Sequence, residues 1–301
     1  MLYDTHSHLN FKAFADDCQT VIKNSLKQGM FLNIVGSQFL TSKRAVEIAN
    51  EFRNDPVYAT VGLHPSHVGN SKFKIQNSKL QFKIQNCKDE GQEVHRWDYE
   101  KYKKLAVDQK VVAIGETGLD YYRTTDNHAV QKQIFLEHIK LAAELKKPLI
   151  IHCRPSKNTF SAKGRPASGW DAYFDLIDIL NQKLRVTSYK LQGVVHCFLA
   201  NWPIAKQLLD LNLYISFTGI ITYKNIDDYL IDAIKKIPLE RIMIETDSPY
   251  LTPEPHRGKK RNEPLYVEYV ARKIAEIKGI DGKIVIDATT KNGKNLFDIK
   301  K

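Results

Sequence analysis

Short runs of β-branched and other apolar residues recur along the chain at residues 2–5, 30–35, 57–61, 111–114, 149–151, 193–195, 214–217 and 242–245. The windows between them show helical spacing instead, as in the stripe Ile134, His138, Leu141 and Leu145. Eight such alternations predict an α/β fold in which parallel strands close into a (β/α)8 TIM barrel. An open doubly wound sheet is the alternative. No G-x-G-x-x-G or G-x-x-x-x-G-K-[ST] follows any strand, so the usual nucleotide-binding reasons for an open sheet are missing. Beyond the eighth strand a further helix is predicted: Pro264 starts it, Val267, Val270, Ala271, Ile274 and Ile277 share one face, and Gly279 ends it.

Two stretches break the alternation. Residues 69–96 carry Lys72, Lys74, Lys79, Lys83 and Lys88, and within them Phe73-Lys74-Ile75-Gln76-Asn77 recurs as Phe82-Lys83-Ile84-Gln85-Asn86. That stretch reads as a surface excursion, a β-ribbon by its alternation or else disordered, with a basic nucleic-acid arm the less favoured reading. Residues 155–168 are rich in Ser, Lys, Pro and Gly and leave the fifth strand at the mouth, as a lid or selectivity loop would. With both set aside, one barrel domain over residues 1–301 is expected. The chain has 301 residues, 43% of them hydrophobic, which is ample for such a core.

No apolar run approaches a membrane span and no basic-then-hydrophobic leader opens the chain, so a soluble cytoplasmic monomer with no membrane partner is expected. Cys18, Cys87, Cys153 and Cys197 are scattered without a C-x-x-C pair, which fits a reducing compartment. The formal net charge of +11 favours an acidic partner such as nucleic acid, although the lysines of the first excursion supply part of it.

In a barrel of this kind the C-terminal strand ends meet at one mouth. Strand one ends in His6 and His8, strand three in His64, strand four in Glu116, strand five in His152, strand six in His196 and strand eight in Asp247. Residues two apart on a strand share a side, so His6 and His8 can aim at one ion. Taken singly, a strand-end histidine is usually hydrogen-bonded, and either carboxylate could cap a helix or turn. Together, four or more imidazoles and two carboxylates exceed one tetrahedral zinc and suit two divalent ions about 3.5–4 Å apart with a shared carboxylate.

The runs Asp4-Thr5-His6-Ser7-His8-Leu9, Gly115-Glu116-Thr117-Gly118-Leu119-Asp120-Tyr121-Tyr122, Ile151-His152-Cys153-Arg154, Val195-His196-Cys197-Phe198, Glu245-Thr246-Asp247-Ser248-Pro249-Tyr250-Leu251 and Pro255-His256-Arg257-Gly258 occur in this order. Together they resemble the TatD family of metal-dependent deoxyribonucleases, among the amidohydrolase-like barrels, nearly end to end apart from the two excursions. The resemblance implies a two-metal centre, with Mg, Mn or Zn left open, and phosphodiester hydrolysis in DNA, often from the 3′ end. It implies that His6 and His8 hold one metal with Asp247, that Glu116 bridges, and that His152 and His196 hold the second. Glu116 and Asp247 are the expected catalytic residues, Asp247 accepting the proton of the attacking water or serving only as a ligand. His64, Arg154 and Arg257 are the expected substrate contacts, the last within a basic loop over residues 256–262 near the mouth. Tyr121 and Tyr122 either stack a base or pack beneath their loop.

Two departures from the family pattern stand out. His67 lies one residue later than the second histidine of a histidine-proline-histidine run, so it is expected to miss the site. Leu199-Ala200-Asn201-Trp202 replaces the small residues usual after the sixth-strand histidine, which narrows the expected groove. Two other functions remain open: a different hydrolase on the same barrel, such as a D-aminoacyl-tRNA deacylase, and a non-catalytic nucleic-acid-binding protein. The first would favour a carboxylated lysine at the bridge, where Glu116 stands, and the second would favour loss of a ligand. RNA also remains open as a substrate beside DNA.

Overall fold

The computed structural model describes residues 1–68, 75–76, 79–80, 97–124, 126–157, 170–184, 191–258 and 260–299. Eight parallel strands form one sheet: β1 (Tyr3–Ser7), β2 (Phe31–Val35), β3 (Val57–Val61), β4 (Val111–Asp120), β5 (Leu149–Arg154), β6 (Gly193–Val195), β7 (Tyr214–Phe217) and β8 (Ile242–Ile244), in that spatial order. Among the helices, α1 (Cys18–Lys27), α2 (Phe39–Glu51), α3 (Tyr99–Ala106), α4 (His128–Leu145), α5 (Asp171–Leu184), α6 (Trp202–Asp210) and α7 (Asp228–Lys236) alternate with the strands. The predicted helix is α8 (Val267–Lys278), entered through a turn at Pro264 and ended by Gly279 at φ 66°. A ninth helix, α9 (Gly282–Leu296), follows it. Of the first excursion, Ile75–Gln76 and Lys79–Leu80 pair antiparallel, and the rest lies outside the described residues, as does most of the second from residue 158 on.

Inside the barrel the floor is apolar. Tyr3, Val35, Ala113, Ile150, Val194 and Met243 converge from six strands, and Leu296 and Phe297 at the end of α9 close over them. Tyr3 carries a polar atom into this layer and satisfies it by donating to Asn33 Oδ1 at 2.7 Å. Gly293 lets α9 approach, since a Cβ there would lie 2.7 Å from the Tyr3 ring.

The seam between β1 and β8 is closed mainly by side chains. Asp4, fully buried, accepts from the Thr246 amide at 2.9 Å and the Thr246 hydroxyl at 2.6 Å, and the Thr5 hydroxyl donates to the Ile244 carbonyl at 3.0 Å. Two backbone bonds finish it, His8 N to Ser248 O at 2.7 Å and Asp247 N to His6 O at 2.9 Å. The barrel thus closes at its mouth.

Several strands outrun their apolar signal, β4 most of all. It continues past Ile114 because Thr117 to Asp120 pair with Ile151 to Arg154, which puts Glu116 within a strand rather than at its end. This pairing demands glycine at 118, where φ is 139° and a Cβ would meet the His152 carbonyl oxygen at 2.0 Å. Polar residues continue the strand because partner pairing, not hydrophobicity, holds them.

One core histidine titrates. His138 of α4 is fully buried against Trp97, donates Nδ1–H to the Ile134 carbonyl at 2.8 Å and accepts the Leu63 amide on Nε2 at 3.0 Å. Burial pulls its pKa down to about 3, below the value of an unfolded histidine. Its stabilising contribution is therefore present above about pH 6.5 and is lost as pH falls toward 3. For the metal-stripped protein, urea denaturation should lose about 2 kcal/mol from this residue between pH 8 and pH 5. His138→Gln should remove that share of the pH dependence; equal slopes in the two proteins would rule it out.

Candidate metal centre

Two bulges aim the principal groups. Three steps along β1 from Asp4 to Ser7 match two along β2, and three along β4 from Ile114 to Thr117 match two along β5. Such an extra residue re-aims the side chains beside it, here His6 and Glu116. On the far side of the seam Asp247 sits in the left-handed region at φ 57°, and Cys197 after His196 does so at φ 47°. Each such residue costs on the order of 1–2 kcal/mol.

The result is a buried cluster on the floor of a cleft of about 470 Å³. His6 Nε2 and His8 Nε2 lie 3.2 Å apart, Glu116 Oε2 is 3.5 and 3.8 Å from them, and Asp247 Oδ1 is 3.6 and 3.3 Å from them. The other Glu116 oxygen, Oε1, lies 2.9 Å from His152 Nδ1, 2.8 Å from His196 Nε2 and 3.3 Å from His64 Nε2. Glu116 therefore faces two groups of ligating atoms, one with each oxygen.

Protons on these rings can be placed by chemistry. His8 Nδ1 lies 3.0 Å from the Val35 carbonyl and His196 Nδ1 3.2 Å from Glu245 Oε1, which only accept, so those nitrogens carry hydrogen and the Nε2 lone pairs face the centre. Among the described residues, His6 Nδ1 has no hydrogen-bond partner. Lone pairs facing carboxylate oxygens at 2.8–3.8 Å repel unless positive charge lies between them. The titrations report that demand. Burial disfavours the imidazolium at each ring, yet Asp247 and Glu116 hold His8 above its ordinary range, Asp120 and Glu116 hold His152 above it, and Glu116 with Glu245 holds His196 well above it. Burial alone would raise Glu116, but His64 and His196 keep it well below the carboxylate range.

A metal ion fits this donor set. Bonds of about 2.0–2.2 Å put ligand atoms of a tetrahedron roughly 3.4 Å apart, and the His6, His8, Glu116 and Asp247 atoms are separated by 3.2–3.8 Å where their spacing is given. His6, His8 and Glu116 form one compact grouping of ligating atoms, and Glu116, His152 and His196 form another.

The TatD related DNase family profile matches residues 3–298. The chain belongs to the TatD family. The uncharacterized metal-dependent hydrolase YabD of Bacillus subtilis is 35% identical over 300 residues, covering 99% of this chain and 100% of its own. The 3′-5′ ssDNA/RNA exonuclease TatD of Pantoea ananatis is 28% identical over 302 residues, 99% of this chain and 100% of its own. The crystal structure of YJJV, a TatD homologue from Escherichia coli, matches with a TM-score of 0.75 at 22% identity, covering 99% of this chain and 98% of that one, and shows the same fold. This TatD protein is a metal-dependent hydrolase.

The remaining residues singled out in the sequence fall in different places. His64 and Arg154 line the cleft, and the Arg154 guanidinium lies 3.8 Å from the centre of the Tyr122 ring. Arg257 is not among the cleft-lining residues and packs over Tyr223 at 3.7 Å. In the same basic loop Arg261 is paired with Asp17 and Glu263, so it braces the loop against α1 rather than facing the mouth. Tyr121 is buried, stacked on His128 and bonded to Asp175, which decides for packing over base stacking. His67 lines the cleft despite its shifted position, its ring centre 6.0 Å from that of His64. Leu199 also lines it.

Asp120 beside His152, Glu245 beside His196 and Arg123 on the cleft wall are charged residues at the site with no role assigned to them in the sequence. Asp120 had a signal. It lies two alternations after Glu116 on the same strand.

Because Glu116 faces both groups, Glu116→Ala should lower the divalent metal retained after dialysis by at least half, measured by plasma mass spectrometry against wild type. Wild-type metal content in the variant would show that this carboxylate is not a ligand.

Proposed function

We propose that this TatD protein hydrolyses phosphodiester bonds of DNA, as a single-domain cytoplasmic monomer trimming single strands from the 3′ end, with RNA as a second substrate. The reading rests on one observation: the Glu116 carboxylate lies between two clusters of ligating atoms at the foot of an open cleft. In this reading His6, His8 and Asp247 hold one divalent ion with Glu116, and His152 and His196 hold a second, the ions being Mg, Mn or Zn. When bound, such a pair lowers the pKa of water and neutralises charge growing on phosphoryl oxygens.

The protein's own groups do the rest. Asp247, with a side chain 16% exposed, faces the cleft and accepts the proton of the attacking water. His64 accepts the Ser66 amide on Nδ1 at 3.0 Å, so its hydrogen sits on Nε2 within the cleft, and burial pulls its pKa down to about 4. That Nε2–H is placed to donate to a phosphate oxygen. Arg154 on the wall offers planar N–H donors to a flanking phosphate. The activity named for the Pantoea relative, on both ssDNA and RNA, supports this substrate class.

The deciding experiment is cleavage of end-labelled single-stranded DNA with Mg²⁺, Mn²⁺ or Zn²⁺ and with chelator. Wild type should give metal-dependent products shortening from the 3′ end, and Glu116→Ala should be slower by on the order of a hundredfold to a thousandfold. Absence of cleavage with every metal, on DNA and RNA alike, would overturn the nuclease reading.

A further inference from the structure

We propose that Asp120 is a positioning residue of the metal centre: its carboxylate holds His152 as the tautomer whose Nδ1 lone pair faces Glu116, and thereby secures the second ion. The inference rests on the two-ion reading above.

Asp120 is fully buried, and each group bonded to its carboxylate is a donor. Oδ1 accepts the amides of Tyr122 at 3.1 Å and Arg123 at 2.8 Å. Oδ2 accepts the Arg123 guanidinium at 2.6 Å and faces His152 Nε2 at 3.1 Å. A carboxylate ringed by donors only accepts, so the hydrogen on the neutral His152 ring belongs to Nε2. Its Nδ1 is then the lone-pair atom, 2.9 Å from Glu116 Oε1 and 3.2 Å from His196 Nε2.

The opposite tautomer is a real competitor. At 2.9 Å, an Nδ1–H would make an ordinary hydrogen bond to Glu116 and present a hydrogen where an ion must bind. The charge on Asp120 opposes that arrangement, and among the described residues no carbonyl partners His152 as Val35 partners His8. Outer carboxylates of this sort fix ring orientation and raise ligand basicity. The fold places Asp120 for the task. It ends the extended part of β4, paired with Arg154, and the Gln131 side chain of α4 clamps its backbone at both N–H and C=O, at 2.7 and 3.0 Å.

His64, Asp120 and His152 also lie close enough together to suggest a third ion. The hydrogens argue against it. Nε2 of both rings carries hydrogen, and Arg123 already occupies the oxygen that would ligate.

The test is Co²⁺ titration of the metal-stripped full chain, followed by visible absorption and bound-metal analysis, for wild type, Asp120→Asn and Arg123→Gln. Wild type should bind two ions. Asp120→Asn should keep one affinity and weaken the other about 10–100-fold, while Arg123→Gln keeps both. In parallel, ¹⁵N-histidine NMR of the stripped proteins should place the His152 hydrogen on Nε2 in wild type and shift it toward Nδ1 in Asp120→Asn. Should Asp120→Asn fail to fold, Asp120→Glu, which keeps an acceptor, should retain the wild-type tautomer with a smaller loss of affinity. Two ions bound by Asp120→Asn with wild-type affinity would overturn the inference, as would the same loss in Arg123→Gln, which would route the effect through the arginine. Fewer than two ions in wild type would instead sink the two-ion reading, and the tautomer comparison would then judge Asp120 by itself.

Discussion

Five imidazoles press on one carboxylate. Glu116 is buried, His6 and His8 lie against one of its oxygens, and His64, His152 and His196 lie against the other. Such a group, buried and ionised, demands positive charge beside it. Much of the upper barrel serves that requirement. The bulges in β1 and β4 turn His6 and Glu116 toward each other, and Gly118 lets β4 run close enough to His152 to hold both strands in register. Val35, Glu245 and Asp120 each take the far nitrogen of a histidine so that the near one faces inward.

The barrel divides its labour by height. Its floor is an apolar layer running from Tyr3 to Phe297, where hydrophobic burial stabilises the fold. Its mouth holds buried charge, left-handed residues and a seam closed by Asp4 and Thr246 rather than by a regular ladder. The residues that complete the barrel also adjoin the candidate ligands: Asp4 and Thr5 precede His6, and Thr246 precedes Asp247. Loss of the centre would leave like-signed or unpaired groups along the seam, so metal binding and closure at the mouth are energetically linked.

This division explains what could be read in advance. All eight barrel strands show as apolar runs because their interiors are buried on both faces, and α8 shows through Pro264 and Gly279. Candidate ligands were legible because histidines and carboxylates follow the apolar runs of the strands. The true length of β4 was not legible, since Thr117, Gly118 and Asp120 are held by pairing with β5 and not by apolar character. Nor do single residues announce their neighbours across the barrel. Glu245 serves a histidine 49 positions away, and Asp120 one 32 away. Arg261 reads as one more mouth cation in the sequence, yet Asp17, 244 positions distant, claims it.

Net charge is a poor guide to how a polyanion would be held here. Of the arginines considered at the mouth, Arg261 is neutralised by carboxylates and Arg123 shares Asp120 with His152. Arg154 is different: its guanidinium lies over Tyr122, with Lys157 Nζ 5.0 Å from the same ring centre. Stacking engages the flat face of the ion and leaves the N–H groups pointing outward in its plane, where a phosphate is gripped in bidentate fashion. A lysine at position 154 would keep the charge and lose that edge. On the nuclease reading, selectivity for a phosphodiester strand therefore depends on a guanidinium held flat at the cleft wall, next to the histidine that its own strand supplies to the centre.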